Sequence, residues 1–149
     1  MLVGLFTSKL GSKRRISFPK KFREILGDKL IVTRGYEGCL VVVDESRWNE
    51  ITKDVVGGTF LDRKVRDSGR FLLAGAHEVE LDLQGRFVIP EDLFDYAELS
   101  NSEKQAVFLG LGNWVEVWSI KEWREHEEYV RRNGEVIVQE LADKVEGTK

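Results

Sequence analysis

One short pattern occurs twice in this chain, and this repeat constrains the fold more than any other feature. The pattern reads RISFP at residues 15–19 and RFVIP at residues 86–90, so each copy has an arginine, a short β-forming run and a proline. Apolar residues at helical spacing follow each proline. Because a repeat in fixed order reflects one structural unit used twice, we predict two copies of a small βα unit.

The likeness continues on both sides of this motif. Leu10 corresponds to Leu81 before it, and Phe22 corresponds to Phe94, to within one position, after it. A second pair of matching blocks follows, VVVDESRW at residues 41–48 and EVWSIKEW at residues 116–123. Two pairs of blocks in the same order are harder to explain by chance than one pair.

The boundaries of the repeat predict how the chain is divided. The offset between the copies grows along the sequence, which predicts a small insertion in the second copy around residues 100–104. Such an insertion is tolerated because loop-closure entropy rises only slowly with length. The expected segments are unit 1 at residues 5–52, a helical connector at 53–75, unit 2 at 76–124, and a C-terminal helix and tail at 125–149.

Alternating apolar residues and turn signals predict four strands in each unit and an α+β fold. Short helices are expected after Pro19 and Pro90, because proline suits the first helical position, and Gly27 should end the first of them. The predicted strands cover residues 3–8, 15–18, 29–34 and 39–43 in unit 1, and 78–81, 86–89, 106–109 and 114–118 in unit 2.

Longer helices are expected outside these short ones. Asp44 and Ser119 are suitable N-caps for the helices that close the two units, and the second should run to about Arg132. The connector has helical spacing from residue 60 to 73, with an interruption at residues 68–69. Its alternating charges predict salt bridges along the helix surface. The tail after residue 132 has apolar residues but ends polar, so it is predicted either to dock as a helix or to stay mobile.

Composition excludes several function classes. Cys39 is the only cysteine, so no internal disulfide forms, and a buried thiol of this kind suits a reducing cytosol. No apolar run approaches the roughly 20 residues of a membrane span. His77 and His126 lie far apart, and no Ser-His-Asp order, zinc-ligand spacing or phosphate-binding loop is present. We therefore expect no catalysis, no metal, no cofactor, no membrane partner and no small-molecule substrate.

The net charge of −3 hides a strong asymmetry between the units. Residues 1–52 carry ten Lys or Arg and six acidic residues, a net charge of +4, so the remainder carries −7. Seven cations and no acid lie between Ser8 and Arg23, whereas the segment from Glu78 to Phe94 has five acids and Arg86 as its one cation. Local charge decides what a surface attracts, so the two units should present different faces.

The cationic stretch has two interpretations. Nucleic-acid affinity comes mostly from cations that neutralise phosphates, and a two-stranded ribbon with a projecting arginine fits the major groove. The alternative is a solvated basic face with no ligand. The candidate residues for DNA contact in this stretch are Arg15, Lys13, Arg14, Lys9, Lys20 and Lys21.

The second copy has its own candidate constellation. Asp82 and Arg86 lie four residues apart across a tight turn, with Gln84 between them. Asp82 could orient Arg86 toward a base while Gln84 meets adenine. The alternative is a local salt bridge, which stabilises the fold by about 0–1 kcal/mol when exposed. The surrounding acids would repel a phosphate backbone, so this unit should touch DNA through Arg86 alone, if at all.

These residues resemble the MraZ family of bacterial regulators. The resemblance rests on Asp82-Leu83-Gln84-Gly85-Arg86 before a β run and Pro90, on Arg15 and Pro19 in the first copy, and on the order of the two copies; it covers roughly residues 1–130. The first copy departs from the pattern, because Gly11 stands where an aspartate is expected. Arg15 therefore lacks a local acidic partner, and the turn before it is expected to differ.

The resemblance implies a fold and a function. It implies two tandem SpoVT/AbrB-type swapped-hairpin units, sequence-specific binding to repeated sites in double-stranded DNA, and regulation of the division and cell-wall gene cluster. It also implies a ring-like homo-oligomer and a cytoplasmic, nucleoid-associated location. Because related AbrB-like units also serve as antitoxins, an antitoxin-like protein that binds a protein partner is the alternative function.

Overall fold

A computed structural model of the chain describes residues 1–101 and 103–147. Within these residues the fold is α+β, as the sequence predicts, with an antiparallel sheet and five α-helices. The strands are β1 (Leu2–Lys9), β2 (Arg15–Ser17), β3 (Lys29–Arg34), β4 (Leu40–Val43), β5 (His77–Glu80), β6 (Arg86–Val88), β7 (Gln105–Gly112) and β8 (Val115–Ser119). The helices are α1 (Lys20–Leu26), α2 (Glu45–Val56), α3 (Arg63–Leu72), α4 (Glu91–Tyr96) and α5 (Ile120–Gly147).

Local sequence signals set most helix boundaries. Pro19 and Pro90 are the N-caps of α1 and α4, one position earlier than predicted, and Gly27 ends α1 with a φ of +80°. The Asp44 carboxylate accepts a hydrogen bond from the backbone N–H of Arg47, which caps α2 as expected. The Ser119 hydroxyl likewise accepts from the backbone N–H of Glu122 at the start of α5. The short helices therefore follow from proline and glycine, and the long ones from side-chain caps.

Strand pairing joins the two repeats into one body. Six strands form a sheet in the order β1-β7-β8-β4-β3-β5, and β2 pairs with β6 in a separate two-stranded ribbon. The equivalent strands β4 and β8 are neighbours, whereas β1 pairs with β7 and β5 pairs with β3. Each repeat thus places its first strand beside the third strand of the other, so the repeats share one core.

The main core lies between the six-stranded sheet, the ribbon and the short helices. Phe18 is at its centre, with its ring 5.6 Å from that of Phe108 and 6.2 Å from that of Phe22. Phe22 and Leu93, each three residues after the motif proline, are fully buried. Leu93 is therefore the structural equivalent of Phe22, which agrees with the predicted match to within one position, and Phe94 itself is only partly buried.

A smaller core covers the opposite face of the sheet. It contains Val107, Leu109 and Trp118 from β7 and β8, with Ile120 from the first turn of α5. Trp123 packs against this cluster, and the His126 ring stacks on Trp118 with 5.0 Å between ring centroids. The first part of α5 is thus anchored to β7 and β8.

The connector and the C-terminal helix differ from prediction. α3 begins at Arg63 and continues through residues 68–69 without the predicted interruption, and Asp67 forms the expected salt bridges with Arg63 and Arg70. α5 does not end near Arg132 but continues to Gly147. A single internal glycine costs a helix only about 1 kcal/mol, so Gly134 does not stop it. The predicted insertion includes residue 102, and the predicted tail includes residues 148–149; these three residues lie outside the described ones.

Candidate nucleic-acid interface

The ribbon of β2 and β6 brings the two motif arginines onto one surface. Ile16 lies opposite Phe87 in the register, and both side chains are buried in the core. Because side chains alternate along a strand, the residues on either side of these two face outward. The outward face of the ribbon therefore consists of Arg15, Ser17, Arg86 and Val88.

Arg15 and Arg86 are diagonal neighbours across this face. Arg15 is opposite Val88 and Arg86 is opposite Ser17, so the two arginines stand at opposite ends of a three-residue pairing. Diagonal positions in an antiparallel pair lie about 7–8 Å apart. Sequence reasoning identified both arginines but missed Ser17 and Val88 between them, although two-residue alternation from Arg15 and Arg86 would have placed both on the same face.

Asp82 organises the loop before β6. Its Oδ1 accepts hydrogen bonds from the backbone N–H groups of Gln84 and Arg86, at 2.8 and 3.0 Å, and its Oδ2 lies 3.1 Å from Nε of Arg86. The backbone bond from Arg86 is the main cause that lowers the pKa of the Asp82 carboxyl. The predicted ion pair is therefore present, and it constrains both the backbone and the guanidinium of Arg86.

The same loop presents its tip to solvent. Gly85 has a φ of +77°, which favours glycine, and a Cβ at this position would come within 3.0 Å of the Arg23 guanidinium. Nε of Arg23 forms a salt bridge with Oδ1 of Asp28 at 2.7 Å, and this contact holds the Arg23 side chain against the loop. Gln84 is exposed, and Leu83 is 99% exposed beside it. Leu83 was not among the candidates; its place at the centre of the turn was the signal that could have identified it.

The loop before β2 has a different turn. The backbone N–H of Gly11 donates to the carbonyl of Arg15 at 2.8 Å, as that of Asp82 does to the carbonyl of Arg86. Gly11 itself is extended, with φ −86°, but Lys13 and Arg14 both have φ near +60°. The expected change in the turn is therefore present, and it lies at residues 13–14 rather than at Gly11. Without the aspartate side chain, a left-handed pair of residues closes the turn in its place.

Arg14 is tied to the second unit. Its Nε donates to the carbonyl of Ile89 at 2.9 Å, and the backbone N–H of Ile89 donates to the carbonyl of Arg14 at 2.9 Å. Arg14 thus joins the first loop to the end of β6. Its terminal NH₂ groups have no hydrogen-bond partner within residues 1–101 and 103–147.

The other candidate cations remain available to a ligand. Arg15 is partly exposed, and its guanidinium has neither an ion pair nor a hydrogen bond to any residue that the structure describes. Lys9, at the end of β1, and Lys13, in the first loop, are exposed. Lys20 and Lys21 are also exposed, in the first turn of α1. Lys13 and Arg14 adjoin Arg15 in the chain, whereas Lys20 follows β2 at the end of the ribbon where Arg86 lies, beside Gln84 and Gly85.

The start of α4 carries the opposite charge, and it follows β6 at the end of the ribbon where Arg15 lies. Glu91 and Asp92 begin α4, and Glu78 and Glu80 are exposed on β5. His77 Nε2 lies 3.0 Å from the Asp92 carboxylate, and this hydrogen bond lowers the pKa of Asp92. The ribbon therefore brings the charged residues that follow each motif close to the arginine of the other unit.

Three further features bear on what this chain can bind or react with. Within the described residues, no group of three or more His, Cys, Asp or Glu side chains is placed to bind a metal ion. Among the helices of the same residues, none has the length and apolar character needed to cross a membrane. Burial raises the pKa of the Cys39 thiol strongly, so this cysteine is held in its unreactive protonated form.

Comparison with known proteins identifies the family. A family model described as "MraZ protein, putative antitoxin-like" matches residues 1–60 and 72–143, which include both ribbon strands. The chain belongs to the MraZ family. The family prediction from the repeated motif is thus confirmed.

Curated MraZ proteins match almost the whole chain. The Transcriptional regulator MraZ of Halothermothrix orenii is 37% identical over 143 residues, covering 96% of this chain and 98% of that protein. The protein of the same name from Natranaerobius thermophilus is 36% identical with the same coverage. That of Clostridium acetobutylicum is 36% identical over 128 residues, which cover 86% of this chain and 88% of that protein. These relatives are named as regulators and not as enzymes.

Proposed function

We propose that this MraZ-family chain is a sequence-specific, DNA-binding transcriptional regulator of the division and cell-wall gene cluster, and that it acts without catalysis. The observation that carries the proposal is the outward face of the β2–β6 ribbon, where Arg15 and Arg86 stand together. The names of the curated relatives, which call them transcriptional regulators, support the same function.

The ribbon suits the major groove of double-stranded DNA. A two-stranded β-ribbon fits this groove, and an arginine on its face pairs bidentately with guanine. Arg15 and Arg86 are the proposed base-reading residues, with Gln84 offering an amide to adenine. Lys9, Lys13, Lys20 and Lys21, with Arg14, would contact phosphates, which position the protein without reading sequence.

The roles of the two units differ in this proposal. The cations of unit 1 supply most of the attraction to DNA, because neutralised phosphates release counterions. Asp82 orients Arg86, and the acidic residues of unit 2 offer the phosphate backbone little attraction. One unit therefore anchors the protein, and the other contributes a single oriented guanidinium.

The fold is proposed to consist of two swapped-hairpin units of the SpoVT/AbrB type. The exchange of β1 and β5 between the repeats supports this, as does the pairing of β2 with β6. The proposed segments are unit 1 at 5–52, the connector at 53–75, unit 2 at 76–124 and the C-terminal segment at 125–149.

Assembly follows from the weakness of one ribbon. A single copy makes few base contacts, so a homo-oligomeric ring that engages repeated operator sites would raise the effective concentration of each next contact. The proposed location is the cytoplasm, in association with the nucleoid. The antitoxin-like alternative is not favoured, because the curated relatives are named as transcriptional regulators.

The test is a fluorescence-anisotropy titration with duplex DNA from upstream of this chain's own gene. Arg15→Ala should weaken binding roughly 5- to 150-fold, because a bidentate arginine–guanine pair contributes about 1–3 kcal/mol of discrimination. A shuffled duplex of the same length reports non-specific binding, which should change much less.

Arg131→Ala is the matched control. It removes the same charge from an exposed arginine on α5, far along the chain from the ribbon. If both variants bind the upstream duplex equally, or if Arg15→Ala binds as the unmodified chain does, the ribbon is not the reading surface. Native mass spectrometry of each variant checks that the assembly is unchanged.

A further inference from the structure

The two halves of the six-stranded sheet are covered unequally on their outer face. This face is the one opposite the main core. Over β4 and β3 it is covered by two helices, α2 and α3. Over β8 and β7, α5 is the one helix among the described residues that covers it, and only the first part of that helix does so.

The covered half shows how the second helix is held. The Thr33 hydroxyl, buried on β3, donates to the carbonyl of Leu72 at 2.6 Å, and the Arg34 guanidinium donates to the carbonyl of Phe71 and lies 4.6 Å from the centre of its ring. Leu72 is buried as a result. α3 can reach this place because the chain turns back after α2 at residues 57–58, a pair of glycines.

The other half leaves the equivalent place open. β7 is the counterpart of β3, and β1, which pairs with β7, is an edge strand. Val3 and Leu111 are directly paired, and with Leu5 they point to the same outer face as buried Leu109. Their exposed fractions are 41% for Val3, 48% for Leu5 and 45% for Leu111. Together they form an apolar patch, the edge patch, that continues the smaller core.

The counterpart of α3 in the second repeat is the C-terminal part of α5, which does not turn back onto the sheet. Counted from the N-caps Asp44 and Ser119, residues 138–147 of α5 correspond to α3. Where α2 is followed by two glycines, α5 has Arg132 and Asn133, so the helix continues straight. Residues 135–147 form the part of α5 that we name the arm; at 1.5 Å per residue it extends the helix by about 20 Å.

The arm has an apolar stripe of its own. Ile137, Val138 and Leu141 recur at helical spacing, and the exposed fractions of Val138 and Leu141 are 66% and 61%. Within the described residues, none of these three residues belongs to either core cluster of the same chain. One chain thus has both an uncovered patch and a helical segment whose counterpart in the first repeat, α3, covers the equivalent strand β3.

We propose that the arm of a second copy of this chain covers the edge patch, so that copies are joined by exchanged C-terminal helices. The continuous helix through Gly134 carries each arm away from its own patch, which makes the neighbour the recipient. Such a contact is head-to-tail: it joins two different surfaces and closes into a ring when the rotation permits. The proposal deepens the assembly part of the proposed function and is independent of the ribbon's contact with DNA.

Cysteine pairing between two separately made variants tests the contact directly. Leu5→Cys and Leu141→Cys proteins are mixed, dissociated and reassembled, and then oxidised with a mild thiol oxidant that converts two thiols into one disulfide. The expected result is a mixed two-chain product on a non-reducing gel. Cys39 is buried, so it does not compete. Val136→Cys, on the other side of the arm, replaces Leu141→Cys as the control and should give at least a tenfold smaller yield of mixed product.

Two outcomes would overturn the proposal. One is equal yields from Leu141→Cys and Val136→Cys, which would show that the stripe does not select the patch. The other is the absence of a mixed product together with an intrachain disulfide in the Leu5→Cys/Leu141→Cys double variant. This result would show that the arm covers the edge patch of its own chain.

A second measurement uses charge in place of cysteine. In native mass spectrometry, Leu141→Asp should lose the assembly of the unmodified chain, and Val136→Asp should keep it; the reverse order would contradict the proposal. If Leu141→Asp stays assembled while Arg15→Ala loses operator binding, the arm contact is wrong and the DNA-binding function stands.

Discussion

Asp82 contacts Arg86 with both carboxylate oxygens, one through the backbone N–H and one through the guanidinium Nε. The side chains are 40% and 37% exposed, respectively, so the pair stabilises the fold only slightly. Its effect is on direction, because it holds a long, flexible side chain at the rim of the ribbon. The equivalent Arg15 has no such partner.

The Asp82→Ala variant distinguishes two effects of Asp82 on DNA binding: orientation of the Arg86 side chain, and repulsion of the phosphates by the carboxylate charge. Removing an acid makes the surface more positive, so simple attraction to phosphates would strengthen DNA binding. If Asp82 aims Arg86 at a base, affinity for the upstream duplex should instead fall roughly 3- to 10-fold while affinity for a shuffled duplex rises, because one contact worth about 1 kcal/mol is loosened. Parallel anisotropy titrations measure both.

Glu80→Ala is the control for that change. It removes the same charge from an exposed residue of β5 that forms no salt bridge within the described part of the chain. It should raise affinity for both duplexes alike. An Asp82→Ala protein that behaves in the same way would show that the ion pair has no orienting role.

Gly11→Asp should make the first loop resemble the second. Gly11 has an ordinary extended φ, and a Cβ there meets nothing closer than the Arg15 carbonyl at 3.4 Å, so the side chain fits. The carboxylate can accept from nearby backbone N–H groups as Asp82 does. We expect the ratio of specific to non-specific affinity to rise and non-specific affinity to fall, measured by the same titrations over a range of salt concentrations.

Gly11→Asn distinguishes the two causes. It offers an acceptor oxygen without the charge, so it should reproduce the gain in specificity but not the loss of non-specific affinity. A Gly11→Asp protein whose two affinities fall in proportion would show that only charge matters at this position.

Leu93 and Phe94 test the correction to the repeat alignment. Leu93 is fully buried and Phe94 only partly, although the sequence comparison matched Phe22 to Phe94, to within one position. Leu93→Ala should lower the free energy of unfolding by about 2–5 kcal/mol, and Phe94→Ala by less, even though it removes more atoms. Urea denaturation followed by tryptophan fluorescence measures both, and the opposite order would restore the sequence alignment.

Local signals explain which parts of the fold could be predicted from sequence. Prolines, glycines and alternation located all eight strands and the short helices to within a few residues, because those signals act within a few positions. No local signal indicates that the first strand of one repeat pairs with the third strand of the other, since β1 and β7 lie about a hundred residues apart in the chain. The end of α5 was missed because Gly134 weakens a helix without ending it.

The candidate site shows the same division. Charge and spacing identified Arg15, Arg86 and Asp82, but not the bond from Arg14 to the Ile89 carbonyl, which exists only because β2 lies against β6. The meeting of the two arginines on one face likewise requires the ribbon register. The sequence therefore predicts which residue types form the site, but not which residues of the two units lie close together.

Glu98 and Glu122 give a pH-dependent prediction at the start of α5. A hydrogen bond between the two carboxyl groups, burial and the charge of Glu98 raise the pKa of Glu122. A carboxyl whose pKa is raised in the folded state stabilises the fold at low pH, and this stabilisation is lost as the pH rises through the folded-state pKa. At neutral pH the ionised pair therefore disfavours the folded state.

Glu98→Gln should relieve this repulsion. The variant should unfold with a free energy higher by about 0.2–1 kcal/mol at pH 7, a small value because both groups contact solvent. The difference should vanish as the pH falls below the ordinary glutamate pKa, where the unmodified pair is protonated as well. Urea titrations across this range measure the difference, and NMR should show the Glu122 pKa fall in the variant.

Glu125→Gln is the control, because the charge of Glu125 raises the pKa of the same carboxyl less than Glu98 does. An equal effect from this variant would mean that general charge, and not the contact with Glu98, raises the pKa of Glu122.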